Sequence, residues 1–152
     1  MSKKTLIAYY SWSGSTKRLA EKIAVVIGDS DIFEIKVPEG TFSQDMYETS
    51  DIATKQIKDH NLPKLTDQVN NLNDYQTILV GGPVWSNAPS SPVDSFLQVI
   101  QGFQGTVAPF YTDAGSFDKY EGNFADMAGS LHVVEGLEAD DDIQSWFDRI
   151  KN

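Results

Sequence analysis

The chain of 152 residues has no cysteine, only two histidines, and 12 basic side chains against 22 acidic ones. Without cysteine there are no disulfides, thiolate metal sites, iron–sulfur clusters or thiol redox chemistry. His60 lies in a long crossover and His132 in a predicted strand, and neither has a nucleophile nearby in sequence. Two such residues do not suggest a metal centre or a catalytic set. The shortage of basic residues leaves a formal net charge of −10. That balance argues against nucleic acid and against anionic membranes as partners. Long apolar runs are also missing. The stretch from Thr5 to Tyr10 is too short for a signal-peptide core or a membrane span, and no later run approaches the required length. A soluble, cytoplasmic protein is the expectation. No repeat, low-complexity tract or linker interrupts the chain, so one domain over residues 1–152 is expected.

The charge that is present is unevenly spread. Residues 1–76 hold 9 basic and 11 acidic side chains, whereas residues 77–152 hold 3 and 11. Most of the negative charge therefore lies in the second half.

Periodicity alternates between strand and helix. Leu6–Tyr10 is a continuous apolar run, as expected of a strand buried on both faces. Thr16–Ile27 repeats apolar residues at helical spacing and meets a stop at Gly28. Ile32–Val37 alternates in the manner of a half-exposed edge strand. Thr77–Val80 is a second buried run and ends at Gly81-Gly82-Pro83. Ser91, Pro92 and Asp94 suit a helix start, followed by Val93, Phe96, Leu97 and Ile100 on one face. Thr106–Thr112 reads as a strand despite Pro109, which cannot donate to a ladder. Leu131–Glu135 is a fifth strand. Asp140 or Asp141 can cap a last helix carrying Ile143, Trp146, Phe147 and Ile150. Asp45–His60 has irregular apolar spacing that permits a helix. Strands alternating with helices indicate an α/β fold of three layers, a doubly wound five-stranded parallel sheet.

In such a sheet, ligands bind beyond the carboxyl ends of the strands. Three loops lie there. The first is Ser11-Trp12-Ser13-Gly14-Ser15-Thr16, between the first strand and the first helix. Its hydroxyls and the unpaired N–H groups of a helix start form an anion site. It matches neither the nucleotide triphosphate loop nor the dinucleotide glycine pattern. Nor does the strand end in the acidic pair that a phospho-acceptor receiver needs to hold Mg²⁺. The second loop is Gly81-Gly82-Pro83-Val84-Trp85-Ser86-Asn87-Ala88-Pro89. The third is Thr112-Asp113-Ala114-Gly115-Ser116-Phe117.

Together these loops resemble those of flavodoxins. Ser11, Ser13, Gly14 and Thr16 match the family's phosphate pattern [ST]-x-[ST]-G-x-T position by position. The second loop is similar to the first isoalloxazine loop of the family, with Trp85 able to stack on or edge a flavin and Pro83, Val84, Ser86 and Asn87 beside its polar edge. The third is similar to the second flavin loop, where Thr112, Asp113, Ala114, Gly115 and Ser116 would offer backbone amides to the pyrimidine end. The best-known members often carry a tyrosine within this loop. Here Tyr111 and Phe117 only flank it, so Trp12, Trp85, Tyr111 and Phe117 all remain candidates to cover the ring.

The resemblance runs along essentially the whole chain and implies a strand order of 2-1-3-4-5, with FMN rather than FAD because there is one phosphate loop. It implies an electron carrier shuttling between a reductase and an acceptor enzyme. A small FMN-dependent quinone or NAD(P)H oxidoreductase is the alternative, and a flavin-free interaction module is a third. The acidic half supplies both ring loops, so basic-faced redox proteins are the expected partners. A carboxylate about 10 Å from the flavin, at an effective dielectric near 40, opposes reduction by about 0.8 kcal/mol. Asp113, and behind it Asp94, Asp118 and Glu121, are therefore expected to lower the potential at which the flavin takes its second electron.

Overall fold

The chain is represented by a computed structural model that describes residues 4–10, 15–28, 30–37, 51–52, 55–56, 58–59, 65–66, 69, 72–85, 88–89, 91–112, 117–138 and 142–150. Strand β1 (Lys4–Tyr9) leads into helix α1 (Ser15–Ile27), followed by β2 (Ser30–Glu34). Next come β3 (Tyr75–Trp85), the short β4 (Ala88–Pro89), α2 (Ser91–Val99) and β5 (Thr106–Thr112). Helix α3 (Phe117–Ala128), the short β6 (His132–Val133) and β7 (Leu137–Glu138), and α4 (Ile143–Ile150) complete the order. Of the Asp45–His60 stretch, residues 51–52, 55–56 and 58 are helical, and most of the remainder lies outside the described residues.

The sheet runs β2-β1-β3-β5-β6, with β7 also on β5 and β4 on β3. The pairings are parallel except for β3 with β4. Counting β6 and β7 as one interrupted strand, this is the expected 2-1-3-4-5 order. Side chains alternate between two cores, as the strand period requires. Leu6, Ala8, Ile78, Val80, Val107 and Tyr111 face α2 and α3. Ile7, Tyr9, Leu79, Ala108, Phe110 and Leu137 face α1 and α4, where Trp146 is fully buried.

Apart from shifts of one or two residues at other ends, four differences from the sequence reading have physical reasons. Strand β2 starts earlier and stops at Glu34, because its partner β1 stops at Tyr9; one last bond, Ile35 N–H to Tyr9 O, closes the ladder at 2.6 Å. Strand β3 runs on through the two glycines to Trp85, because Val84 and Trp85 pair with the returning β4. The last strand is split. Asp142, rather than Asp140 or Asp141, caps α4: its Oδ1 accepts the N–H of Ser145 at 3.2 Å.

Pro109 explains the split. Val107 pairs with Val133 and Phe110 with Leu137, so the last strand carries one extra residue across the gap, a bulge. Val107 O still accepts from Val134 N–H at 2.9 Å. Two residues on, Pro109 faces the same side and has no N–H to give. Gly136 lies against it: a Cβ there would sit 2.9 Å from the proline ring and 3.0 Å from its carbonyl oxygen. The break is thus built from a missing donor and a residue without a side chain.

Candidate functional site at the carboxyl edge of the sheet

The three loops leave adjacent strands at one edge. Tyr9 stands beside Gly81, Gly82 beside Tyr111, and Pro83 beside Thr112. Tyr10 N–H donates to Gly81 O at 2.9 Å, carrying the β1–β3 contact one residue past the strand. The stems of all three loops are therefore fixed next to one another by ladder bonds. Of the sequence-expected site residues, Ser11, Trp12, Ser13, Gly14, Ser86, Asn87, Asp113, Ala114, Gly115 and Ser116 lie outside the described residues. For Ser15, Pro83, Val84, Trp85 and Thr112 the backbone alone is described, and Thr16 is described and buried.

Helix α1 starts at this edge, and its first turn holds no acid. It holds Lys17 and Arg18 instead, next to the buried Thr16. The first N–H groups of a helix lack intrahelical acceptors, and the dipole adds positive potential there. Two cations at that position oppose the dipole by about 0.3–1 kcal/mol each in the free protein, and favour a bound anion. Helix α2 also starts at this edge but is built differently. Its first turn contains the buried Asp94, whose Oδ1 accepts from Gln98 Nε2 at 3.2 Å, and Ser91 Oγ donates to Gln56 Oε1 at 2.6 Å. An acid already meets the α2 dipole, so α1 is the anion end.

On β5 and α3, the two stems of the third loop, lies a cluster that sequence reading missed. Tyr111 is 1 % exposed, and its hydroxyl donates to Glu121 Oε2 at 2.6 Å. The other oxygen, Oε1, accepts the N–H of Gly136 at 3.0 Å, a donor that faces the strand break. The Tyr111 ring lies 4.4 Å from that of Tyr120, whose buried hydroxyl has no partner among the described residues. Burial raises the pKa of both phenols, and for Tyr111 the bond to Glu121 raises it further. Both stay protonated, so Tyr111 is a permanent donor to the carboxylate. Tyr10, the residue after the end of β1, is pushed up to about 12 by burial alone.

A sequence profile of the flavodoxin family matches residues 4–150. The chain belongs to the flavodoxin family. Among solved structures, a flavoprotein of Lactobacillus acidophilus NCFM in complex with FMN is 42% identical, with a TM-score of 0.88 over 99% of this chain and 100% of that one. The apo form of the flavoprotein from the same organism, solved by NMR, is 44% identical, with a TM-score of 0.77 over 96% and 98% of the two chains. A flavodoxin from the domain Archaea shares the fold at 16% identity, with a TM-score of 0.58 over 98% and 99%. No curated protein sequence matches the chain.

The described part of the site suits a phosphate at the start of α1, where the first turn is acid-free and basic, and the edge beside it is walled by β3 and β5. The aromatic candidates are narrowed. Tyr111 points into the α2/α3 core and is committed to Glu121, so it does not cover the ring. Trp12 and the side chains of Trp85 and Phe117 lie outside the described residues. Two of the acids expected to act on the flavin have local partners: Asp94 is bonded to Gln98, and Glu121 holds Tyr111 and Gly136. Among the described residues no His/Asp/Glu cluster could hold a metal ion, and no helix is long and apolar enough to cross a membrane.

Proposed function

We propose that this flavodoxin-family protein carries electrons between redox proteins through an FMN held at the carboxyl edge of its sheet. The coarser part rests on the family: the chain is a flavodoxin-type flavoprotein, and FMN is its cofactor. The observation that carries the site is the convergence of three stems beside an α1 terminus with no acid in its first turn. When bound, FMN supplies one- or two-electron transfer, and the protein sets its orientation, access and potential. The first turn of α1 would hold the phosphate through backbone N–H groups, with Lys17 and Arg18 adding charge. The β3–β4 hairpin and the loop after β5 would flank the ring.

The charge distribution supports a protein partner. Both ring loops belong to the half with 3 basic and 11 acidic side chains. A negative rim would steer a basic-faced reductase or acceptor to the flavin edge and speed encounter at low salt. In this reading the protein works in the cytoplasm among soluble partners. Stopped-flow reduction by a basic-faced reductase should slow at least tenfold, as an order of magnitude, between low and physiological ionic strength. A rate independent of salt would reduce the acidic half to a solubility feature. The alternative, an FMN-dependent oxidoreductase, predicts steady-state NADPH oxidation with no partner protein. A flavin-free interaction module predicts a colourless protein that does not take up FMN.

A further inference from the structure

The two stems of the third loop are joined by one side-chain bond. They are the end of β5 (Thr106–Thr112) and the start of α3 (Phe117–Ala128). Tyr111 is the penultimate residue of the first stem, and Glu121 sits in the opening turns of the second. Their 2.6 Å hydrogen bond, with the Tyr111–Tyr120 ring contact at 4.4 Å, joins the two stems directly. Helix α3 also packs against β4, the returning arm of the second loop. The same Glu121 carboxylate holds the N–H of Gly136 at the strand break. One carboxylate thus ties together β5, α3 and the last strand, the first two being the stems of the loop assigned to the flavin ring.

We propose that Glu121 is a positioning residue for FMN: through Tyr111 it sets the separation and pitch of the loop that meets the ring. The inference rests on the FMN reading given above. Glu121 acts through Tyr111 and the helix and does not touch the cofactor. The phosphate end, on α1, is built from other elements, so the clasp acts on the ring alone. A bond to a charged acceptor is strong, and releasing the stems gives the loop freedom that binding must then remove. Tyr111→Phe keeps the ring in the core and deletes only the bond. Glu121→Gln keeps an acceptor for one of the two donors.

The test measures dissociation constants of FMN and riboflavin, the FMN midpoint potentials and the apo-protein melting temperature in the full chain. Tyr111→Phe should weaken FMN about tenfold and riboflavin by the same factor, since the lost bond lies at the ring end. Its potentials should shift, and Glu121→Gln should lie between Tyr111→Phe and wild type in both readouts. Unchanged affinities and potentials in Tyr111→Phe, with only a lower melting temperature, would make the bond merely structural and overturn the proposal. A larger loss for FMN than for riboflavin would place the effect at the phosphate and also overturn it. If wild type itself takes up no flavin, the functional reading fails and the clasp falls with it; if wild type binds and the variants bind equally well, the clasp alone fails.

Discussion

Gly81→Val is expected to remove most folded protein at physiological temperature, with a loss of about 3 kcal/mol or more from overpacking. A Cβ at Gly81 would overlap the Phe110 ring at three of its carbons. Phe110 is fully buried and belongs to the core facing α1 and α4, so it has no free space to turn into. The backbone is equally constrained, because Gly81 pairs with Tyr9 on one side and Phe110 on the other, and its carbonyl accepts Tyr10 N–H. Gly81→Ala should cost about 1–3 kcal/mol by the same mechanism. Adding Phe110→Leu to Gly81→Ala should recover part of that loss, although Phe110→Leu alone destabilises. Urea unfolding of the four proteins in this cycle gives the coupling. Simple additivity would mean that the two residues do not compete for the same space.

Trp146→Ala is expected to cost about 3–5 kcal/mol, the usual penalty for truncating a fully buried large aromatic residue. Trp146 is buried between α4 and the sheet among Ile23, Phe110 and Leu137. Its indole N–H donates to Glu135 O at 2.9 Å, so truncation also orphans a carbonyl. Arg149 grips the same residue through both carboxylate oxygens, at 3.1 and 2.8 Å. That exposed pair adds little by itself, but it registers α4 on the strand break. Trp146→Phe should lose about 1–2 kcal/mol, since it keeps most of the apolar volume and drops the hydrogen bond. A denaturation midpoint unchanged in Trp146→Ala would contradict the placement of this side chain.

The two predictions show what sequence could and could not disclose. The strand–helix alternation was legible because buried strands and amphipathic helices differ in period, and Leu6–Tyr10 and Thr16–Ile27 are clean examples. The glycine stop of α1 was legible as well: Gly28 has φ of 80° and donates its N–H to Ala24 O at 3.1 Å. Gly81 was legible only as a turn residue. Its actual constraint is a close approach to a ring from another strand, which no local pattern records. The split of the last strand was illegible for the same reason, because Pro109 breaks pairing in a partner more than twenty residues away.

The sequence carries the flavodoxin phosphate-loop pattern, whose residues 11–14 lie outside the described residues, and the first turn of α1 that follows it holds no acid. The Tyr111–Glu121 clasp was half visible. Period-2 alternation places Tyr111 on the same face as Val107, which is the α2/α3 core, and that parity already disfavours it as a cover for the flavin. Its partner could not be read, because a carboxylate on an amphipathic helix more often faces water.

The most direct measurement is reductive titration of the FMN-loaded protein, followed by its visible spectrum against electrode potential. An electron carrier with acids beside its ring loops should take up electrons in two resolved one-electron steps, the second at clearly lower potential. It should also leave NADPH unoxidised until a partner reductase is added. A single two-electron step, or steady NADPH oxidation by the protein alone, would contradict the electron-carrier reading.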